Sequence, residues 1–507
     1  MRPYPTPVFP HSRAAFEAGV AALSGDDAGD LDHGKVEERA RARGDEFVRA
    51  LIQDHLDLRT EREKAAVEPM CGADGEERTE VRPSSRPLGT LYGTVVVHRV
   101  ALVKHGVSGG LRPLDAHLNL PEGLYSQGVQ REVAWGVAQG SYETTIDNLR
   151  RTTRTTIAKR QAEDLAVKIT GDFEEFYLER PVHAEKRKHL MVLTFDGSGV
   201  VMRPEGLRPE TRKRAKKGGR KPSVAESAAS GRRRDDDRKN RKRMAEVAAV
   251  YSLEAVGRTP ADVMRELRRI GPREVRPEAQ NKRVWASLER SIVDVVDSAF
   301  YEALHRDEAK VRRWVAVVDG NADQIAAIDR MAWNAGVTVT IVIDFIHVLG
   351  YLWKAGKALN DDAEVDAWVD ERAESILNGK ASVVAAGMRR AATRRGLSKK
   401  ERKAIDACAD YLLNHKAYLR YHEYLRDGLP IATGVIEGAC RSLVQDRMDI
   451  TGARWGLPGG EGVLKLRSLR ASGDLDAYLA FHWQRELERN HLQHYDEQEL
   501  VELREAA

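Results

Sequence analysis

The fold is decided by three apolar runs of strand length that each end in aspartate: HLMVLTFDG at 189–197, WVAVVDG at 314–320 and VTVTIVID at 337–344. A continuous run of four to eight apolar residues is typical of a strand buried on both faces. The segment between the second and third runs has helical periodicity, and a strand–helix–strand unit pairs its strands in parallel. We therefore predict an α/β fold whose mixed sheet carries carboxylates at one edge.

Two further segments complete the predicted sheet. Residues 200–202 are a candidate second strand, and residues 244–253 are a candidate third. Three sequential strands are typical of an antiparallel meander, which the parallel strands extend into one mixed sheet. On this interpretation Asp196 lies at the end of a strand, and a helix from about Trp285 to His305 follows the meander.

The chain beyond Asp344 is predicted to be mostly helical. A charged helical stretch covers residues 345–429, and the segment GVIEGACRSLV at 434–444 reads as a helix that opens with the carboxylate of Glu437. The first of these helices contains several aromatic and imidazole side chains, which are Phe345, His347, Tyr351 and Trp353.

Three acidic side chains, those of Asp196, Asp319 and Glu437, are candidates for one metal site. Carboxylates gathered at a sheet edge repel one another unless cations neutralise them, and hard divalent ions prefer carboxylate oxygen. Two such ions ~3.5 to 4 Å apart can activate an attacking oxygen and stabilise a leaving oxygen in phosphodiester chemistry. Asp344 also ends a strand and is the alternative to Asp319. Taken singly, an Asp-Gly pair is usually a turn, and an acid near a helix N-terminus is usually structural.

Five motifs carry a resemblance to a known family. They are TFDG at 194–197, WVAVVDG at 314–320, IDFIHV at 343–348, GVIEGACR at 434–441 and DRMDITGARWG at 446–456. Together they resemble the ISKra-family DDE transposases of bacterial insertion sequences, over roughly residues 85 to 495. The resemblance implies a ribonuclease-H-like catalytic core that is interrupted by a helical insertion before the glutamate. It also implies that Asp196, Asp319 and Glu437 are the catalytic residues and bind two Mg²⁺ or Mn²⁺ ions.

The cysteines do not form a recognisable metal or disulfide pattern. Cys71, Cys408 and Cys440 are far apart and form no CxxC pair, which favours a reducing compartment. Members of the resembled family often carry a cysteine pair near the start of the hairpin region, whereas residues 102–107 contain none. We therefore do not expect a zinc-bound N-terminal module.

The first half of the chain is predicted to bind DNA. Residues 1–87 read as an extended and then helical region, and the alternating, glycine-flanked segment 88–120 is typical of a small hairpin. From residue 130, helical segments separated at Gly140-Ser141 and at a threonine-rich turn have the pattern of a helix-turn-helix. The candidate DNA contacts on this region are Arg151, Arg154, Lys159 and Arg160. The alternative is a helical bundle with a solvated basic face.

Residues 203–243 form a basic arm of low complexity, which includes Lys213. The arm holds 17 basic and 6 acidic residues, a net charge of +11, whereas the whole chain has +4. Such a run cannot bury itself, and clustered lysine and arginine gain affinity for a polyphosphate backbone from counterion release. The arm therefore indicates a nucleic acid partner, with a solubilising linker as the alternative.

Length and composition limit the class of protein. A chain of 507 residues is expected to form two to four domains, and 42% hydrophobic residues suffice for a sizeable core. No apolar run reaches the length of a membrane span, and the first thirty residues do not resemble a signal peptide, so we expect a cytoplasmic protein without a membrane partner. The predicted segments are 1–87, 88–185, 186–344, 345–429 and 430–507, of which the third and fifth form the catalytic core.

Several other side chains are candidate DNA contacts with structural alternatives. Arginines near the glutamate helix could clamp phosphates or form ion pairs, and tryptophans could stack on unpaired bases or fill the core. These residues are Arg441, Arg447, Arg454, Trp353 and Trp455. His347 could touch DNA or the site, with packing or helix capping as the alternative. His491 and His494 lack a third ligand and read as solvated.

The leading hypothesis is a transposase that binds the terminal inverted repeats of its element. It would cut DNA and join the cut ends to target DNA, with double-stranded DNA and a second copy of the chain as partners. One alternative is a catalytically inactive DNA-binding protein derived from a transposase. Another is a two-metal DNA nuclease that does not join strands.

Overall fold

The computed structural model describes residues 9–181, 188–217, 241–271, 276–432, 434–450, 452–497 and 499. The chain divides into two compact units, which are unit 1, Met1–Leu178 with Asp474–Ala507, and unit 2, Glu179–Gly473. The predicted segment 430–507 is thus shared between them. The protein is of mixed α/β class, as predicted. Within the described residues, no helix combines the length and apolar character that a membrane crossing needs.

Unit 1 consists of helices and small antiparallel sheets. Its elements are α1 (Pro10–Ser24), α2 (Asp26–Gly29), α3 (His33–Ala66), β1 (Met70–Cys71), β2 (Glu77–Arg78), β3 (Glu80–Thr90), β4 (Gly93–Val103), α4 (Pro113–His117), α5 (Gln127–Gln139), α6 (Tyr142–Thr152), α7 (Lys159–Ile169), α8 (Phe173–Glu179), the C-terminal helix Leu475–Asn490 and a 3-10 helix at Leu492–His494. β1 pairs with β2, and β3 pairs with β4.

The predicted hairpin is present but begins earlier in the chain, because the alternating run 88–100 contains its turn. Thr90 pairs with Gly93, so only two residues join β3 to β4. Along β4, buried and exposed positions alternate, as expected for a sheet with one face in the core. Val95 on the buried face packs in one cluster with Leu56 of α3, which fixes the hairpin on that long helix.

Helix α1 receives its N-terminal cap from another helix. Its own N-cap residue, Phe9, has φ 69° and makes no side-chain cap. The first-turn amides of His11 and Ser12 instead donate to the two oxygens of Asp54 on α3, at 3.2 and 2.8 Å. The first amides of a helix have no partner within it, and a negative charge suits the positive end of its dipole. Asp54 therefore joins α1 to α3.

The three helices α5, α6 and α7 pack against one another in the region predicted as a helix-turn-helix. Ser141 caps α6 by accepting a hydrogen bond from the Thr144 amide at 3.0 Å. α5 and α6 approach closely at Gly136, where an added Cβ would lie 2.5 Å from Thr145 Cγ2. The helical segments are therefore confirmed, while their role in DNA binding stays a prediction.

Unit 2 is built on a five-stranded mixed sheet. Its elements are β5 (Leu190–Val201), α9 (Pro209–Lys217), β6 (Lys242–Leu253), α10 (Pro260–Leu267), β7 (Gln280–Ser287), α11 (Ile292–Arg306), β8 (Trp314–Val318), α12 (Ala322–Ala335), β9 (Val339–Ile343), α13 (Phe345–Leu359), α14 (Asp362–Leu377), α15 (Ala381–Arg394), α16 (Lys403–Asn414), α17 (Tyr421–Arg426), α18 (Gly434–Ala439), a π-helical segment Cys440–Gln445, α19 (Asp446–Met448), α20 (Leu457–Ser472) and 3-10 helices at Pro204–Gly206 and Lys416–Tyr418. The strand order is β7-β6-β5-β8-β9. β5, β6 and β7 form an antiparallel meander, and β8 and β9 run parallel to β5, as predicted.

The strands that form the meander are not all the predicted ones. Residues 200–202 do not form a second strand, because β5 stays extended through Gly197 and Gly199 and pairs with β6 along its whole length. Asp196 therefore lies inside β5 and not at its end. The third strand is β7, whose buried Trp285 was predicted to begin a helix. That helix, α11, begins only after Ser291, which caps it.

β5 and β6 extend beyond the rest of the sheet. β8 pairs with β5 from Met191 to Thr194, so β6 is the partner strand of the second half of β5, with one further backbone hydrogen bond from Trp455 to Val201 at its end. The predicted basic arm 203–243 leaves from the end of this two-stranded extension. The arm begins as helix, in the 3-10 turn and α9, whereas residues 218–240 lie outside the described residues.

The predicted helical insertion is confirmed as helical, because 345–429 forms α13 to α17 and one 3-10 turn. Helix α13 follows β9 directly and packs against both α14 and α16. The insertion is thus anchored on the end of the sheet where the parallel strands finish.

A buried carboxylate joins α11 to the sheet. The Glu302 side chain is 2% exposed and lies 2.6 Å from Arg180 Nη2 and 2.6 Å from Arg283 Nη1. Arg306, one turn along α11, also contacts it. Burial raises the pKa of Glu302, but Arg283, Arg306 and Arg180 outweigh burial and lower the pKa to about 2. The cluster therefore keeps this carboxylate charged inside the fold.

Candidate active site

Three aspartates occupy the same level of the sheet. The last pair between β5 and β8 is Thr194 with Val317. If this register is continued by two residues, Asp319, which follows the end of β8, lies opposite Asp196 of β5. β8 and β9 continue this register, which brings Asp344 to the level of Asp319. Because the strands are parallel, the three carboxylates form a row at the edge where β8 and β9 end.

Asp196 is held by two donors. Its Oδ1 accepts a hydrogen bond from the Gly197 amide at 2.7 Å, and its Oδ2 accepts one from the Cys440 thiol at 3.3 Å. Cys440 is buried and lies one turn beyond Glu437, so the contact joins the first aspartate of the row to the glutamate helix. Burial raises the pKa of the Cys440 thiol, and the nearby charge of Asp196 raises it further, so the sulfur stays protonated as a donor.

Asp319 begins the turn that leads into α12. Its Oδ1 accepts a hydrogen bond from the Asn321 amide at 2.9 Å, and Asn321 in turn caps the helix. The next residue, Gly320, has φ 95°, which glycine adopts without strain. A Cβ at Gly320 would also lie 2.9 Å from His415 Nε2. The positive φ and the close approach of His415 therefore both explain why glycine follows Asp319.

Replacing Gly320 by alanine is expected to destabilise the protein by about 1–3 kcal/mol, because alanine disfavours positive φ and its methyl meets His415. The free energy of unfolding from urea titration measures this. Gly387→Ala is the matched control, since Gly387 lies within α15 and its Cβ would meet nothing within 4 Å. Equal stability of the two variants would contradict the expectation.

Asp344 caps the first helix of the insertion. The Asp344 side chain is buried, and its Oδ1 accepts a hydrogen bond from the Ile346 amide at 2.7 Å. Asp344 thus caps a helix and also belongs to the row. Its side chain is buried, whereas that of Asp319 is only partly buried. Both alternatives for the second carboxylate lie on the same edge of the sheet.

Glu437 lies in the electrostatic environment of this row. It is the fourth residue of α18, and burial raises its pKa. The charges of Asp344 and Asp196 raise the pKa further, while the exposed His347 on α13 lowers it. The glutamate thus interacts electrostatically with two aspartates and a histidine that are far from it in the sequence.

The charges of the row also affect the pKa of a glutamate on β6. Burial raises the pKa of Glu246 on β6, Asp196 and Asp319 raise it further, and Arg208 lowers it. Glu246 pairs with Gly197, and successive side chains of a strand point to opposite faces of the sheet. The Glu246 side chain therefore leaves the sheet on the face opposite to that of Asp196. Asp196 and Asp319 therefore place negative charge near Glu246, and gathered carboxylates favour binding of a divalent cation.

The candidate metal ligands are not gathered tightly enough for one shared ion. Among the described residues, only His11, Asp54 and Asp57 form a group of three such side chains with ligand atoms within 4.8 Å of one another. Asp196, Asp319, Asp344 and Glu437 do not meet this distance. Two ions ~3.5 to 4 Å apart can be bound by carboxylates that lie further from one another than the ligands of a single ion. The carboxylate oxygens of these four residues are hard donors, which suit Mg²⁺ or Mn²⁺.

The group of His11, Asp54 and Asp57 has a structural explanation. Both oxygens of Asp54 already accept hydrogen bonds from α1, and its Oδ1 also contacts the His11 imidazole at 2.7 Å. Asp57 accepts a hydrogen bond from Gln53 at 2.9 Å. These contacts account for the group without a cation.

The arginines near the glutamate differ in exposure. Arg447 is buried and its guanidinium stacks 4.6 Å from the ring centre of Trp455, which favours the structural alternative for both residues. Arg441 is exposed and lies 3.7 Å from Asp446, and Arg454 is exposed. Arg441 and Arg454 are thus the two that can reach a phosphate. Trp353 is partly exposed on α13.

The four predicted DNA contacts on the helical region are all exposed on unit 1. Arg154 donates to Asp45 at 2.8 Å, and Lys159 pairs with Glu143. Exposed ion pairs contribute little stability, so phosphates can replace these acids at small cost. For Arg151 and Arg160, no ion pair is found within the part of the chain that the structure describes.

The sequence did not single out the residues that hold the row in place. Cys440 stood in a quoted motif, but nothing in the pattern linked it to Asp196. His415 and Tyr411 lie one helical turn apart within the insertion, and only the tertiary contact with the loop after β8 reveals their position. Neither spacing nor composition carries that information.

Comparisons with known proteins do not identify the chain. It matches none of the family models, and no curated protein sequence matches it significantly.

Proposed function

We propose that the protein is a DNA transposase of the DDE type, which cuts the ends of its element and joins them to target DNA. The observation that carries this proposal is the register of the sheet, which aligns Asp196 with Asp319, together with the raised pKa of Glu437, to which burial, Asp344 and Asp196 contribute. Three carboxylates in one acidic field suit phosphodiester chemistry and need no protein nucleophile.

Within the α/β class, we propose that the core of unit 2 has a ribonuclease-H-like fold. Its support is the order β7-β6-β5-β8-β9, in which a meander is extended by two parallel strands and the first strand lies at the centre. The helical insertion precedes the glutamate, as the resemblance to ISKra-family transposases implies. Asp196 on the central strand then stands beside Asp319 on its parallel neighbour.

Asp196, Asp319 and Glu437 are the residues that we propose to hold two Mg²⁺ or Mn²⁺ ions. When bound, such ions lower the pKa of an attacking water or hydroxyl and stabilise the leaving oxygen. The chain itself orients the carboxylates: Cys440 and the Gly197 amide fix Asp196, and the Asn321 amide fixes Asp319.

The proposed reaction has two parts. Water attacks a phosphodiester at the element's end, and the P–O3′ bond breaks to leave a 3′-hydroxyl. That hydroxyl attacks a target phosphodiester, so that a new P–O3′ bond forms as the target's own P–O3′ bond breaks. The attacking hydroxyl loses its proton to solvent, and the leaving 3′-oxygen of the target takes one up. Bond count is conserved in the second part, and no covalent protein intermediate is needed.

The proposed partners are double-stranded DNA and further copies of the chain, in the cytoplasm. The helix-turn-helix-like region of unit 1 would bind the terminal repeats, and the basic arm would hold the phosphate backbone. Two ends must be held during joining, which favours a dimer or a larger assembly on DNA.

A strand-transfer assay tests this proposal. Purified protein is mixed with labelled DNA that carries the element's terminal repeat, a supercoiled target plasmid and Mg²⁺. We expect joined products that disappear with a chelator and with Glu437→Gln. They should persist with Glu254→Gln, which changes an exposed acid outside the row.

The alternatives give different results in the same assay. Cleavage without joining would favour a two-metal nuclease. Repeat-specific binding without cleavage, unchanged in Glu437→Gln, would favour a DNA-binding protein derived from a transposase. A scrambled repeat of equal length separates specific from general binding to DNA.

A further inference from the structure

The helical insertion contacts the two loops that carry the aspartates of the row. The Tyr411 hydroxyl on α16 donates to the backbone carbonyl of Asp319 at 2.7 Å. His415, one turn later, places Nε2 3.0 Å from the carbonyl of Gly320 and Nδ1 2.8 Å from the carbonyl of Tyr411. The side chains of Tyr411 and of His415, the residue that follows α16, thus contact two consecutive peptide carbonyls at the end of β8.

The insertion holds the end of β9 in the same way. The Tyr421 hydroxyl on α17 donates to the carbonyl of Ile343 at 2.9 Å, immediately before Asp344. The Phe345 amide, immediately after it, donates to the carbonyl of Ile431 at 2.8 Å. The backbone on both sides of Asp344 is therefore fixed by residues that follow in the chain.

The two tyrosines are themselves locked by aromatic packing. The rings of Tyr411 and Tyr351 stack with centres 4.2 Å apart and an interplanar angle of 18°. Tyr421 is fully buried and meets Phe345 edge to face at 5.2 Å. Tyr351 and Phe345 both lie on α13, the helix that begins at Asp344. One aromatic cluster therefore connects the two aspartate loops.

We infer that the helical insertion positions the carboxylates of Asp319 and Asp344, with Tyr411 as a positioning residue that acts through the Asp319 backbone. This inference rests on the proposed function of the row. A site that binds two ions needs its ligands held to within a fraction of an ångström, and strand ends alone leave such loops mobile. Burial of the hydroxyls makes their hydrogen bonds with the carbonyls costly to lose.

The alternative is that the insertion only packs against the core and contributes general stability. Under that alternative, removal of any buried tyrosine hydroxyl would have the same effect. The two interpretations separate because Tyr424 on α17 offers another hydroxyl, which lies 3.4 Å from the carbonyl of Ile341 and also accepts a hydrogen bond from Arg420. Ile341 lies within β9, whose backbone the sheet already holds.

The test compares Tyr411→Phe with Tyr424→Phe in the full chain. Both changes keep the ring and remove one hydroxyl, so both variants should fold and melt at similar temperatures. We expect Tyr411→Phe to weaken Mn²⁺ binding about tenfold, the scale at which groups behind metal ligands act, while Tyr424→Phe binds like the wild type. Electron paramagnetic resonance of free Mn²⁺ during titration measures this without DNA.

A second readout uses the proposed reaction. Cleavage by Tyr411→Phe should need about tenfold more Mg²⁺ and recover at saturating Mg²⁺, which a purely structural defect would not produce. Equal Mn²⁺ affinity of the two variants, or equal loss in both, would overturn the positioning role and leave the proposed function intact. Failure of the wild type to bind Mn²⁺ would overturn both.

Discussion

Replacing Asp196 by asparagine should lower the rate of strand cleavage and joining by on the order of 10³-fold or more, if the proposed function is correct. The change keeps the size of the side chain but removes the charge that holds a divalent ion, and such an ion stabilises a phosphoryl transition state by several kcal/mol. Single-turnover cleavage of labelled repeat DNA at saturating Mg²⁺ measures the rate.

The fold should tolerate this change. Asp196 Oδ1 and Oδ2 accept hydrogen bonds from Gly197 and Cys440, and an asparagine carbonyl can retain one of them. The control is Asp329→Asn, an exposed acid on α12, which should retain wild-type activity. Full activity of Asp196→Asn would contradict the metal site.

The same assay decides between the two candidates for the second carboxylate. A loss in Asp319→Asn that is much larger than in Asp344→Asn would assign Asp319 to the ions and leave Asp344 as a helix cap. The opposite ranking would exchange the roles. Asp344→Asn keeps a side-chain oxygen that can accept from the Ile346 amide, so loss of the cap should not obscure the comparison.

Replacing Glu302 by glutamine should destabilise the protein by about 3–5 kcal/mol. Removing one member of a buried ion cluster leaves the remaining charges without compensation, and three guanidinium groups surround this carboxylate. Urea titration of the full chain measures the free energy of unfolding. Glu254→Gln is the control, because that acid is exposed and should change stability by less than about 0.5 kcal/mol.

The pH dependence of this contribution follows from the lowered pKa. The folded pKa of Glu302, about 2, lies below the ordinary value of 4.5, so the stabilisation is fully present above pH ~5. It declines as the pH falls from there towards 2, because the unfolded chain binds the proton first. Wild type should therefore lose stability over this window more steeply than Glu302→Gln. Parallel curves for the two proteins would contradict the assignment.

The sequence predicted the central sheet because its strands are buried on both faces. The runs that became β5 and β8 are almost wholly apolar, the run that became β9 is rich in β-branched residues, and short runs of this kind beside turn signals are typical of buried strands. The helical insertion was equally clear from its periodicity. These features depend only on local pattern, which a single sequence contains.

The errors arose where local pattern is ambiguous. The Asp196-Gly197 pair was expected to end the strand, yet the backbone stays extended there because β6 supplies a partner beyond Asp196. Trp285 was assigned to a helix although it is a buried strand residue, since one short apolar run fits either element. The contacts of Cys440 and Tyr411 join elements distant in sequence, so no local signal could predict them.

The extension of β5 and β6 sets a fixed spacing between the root of the basic arm and the row of aspartates. Five residues separate Asp196 from Val201, which at ~3.3 Å per residue is roughly 17 Å of rigid ladder. Along duplex DNA this corresponds to about five base pairs at ~3.4 Å each. On the proposed function, DNA that lay along this extension would meet the first arginines of the arm about half a helical turn from the cut. The length of the extension would then set the size of the DNA footprint.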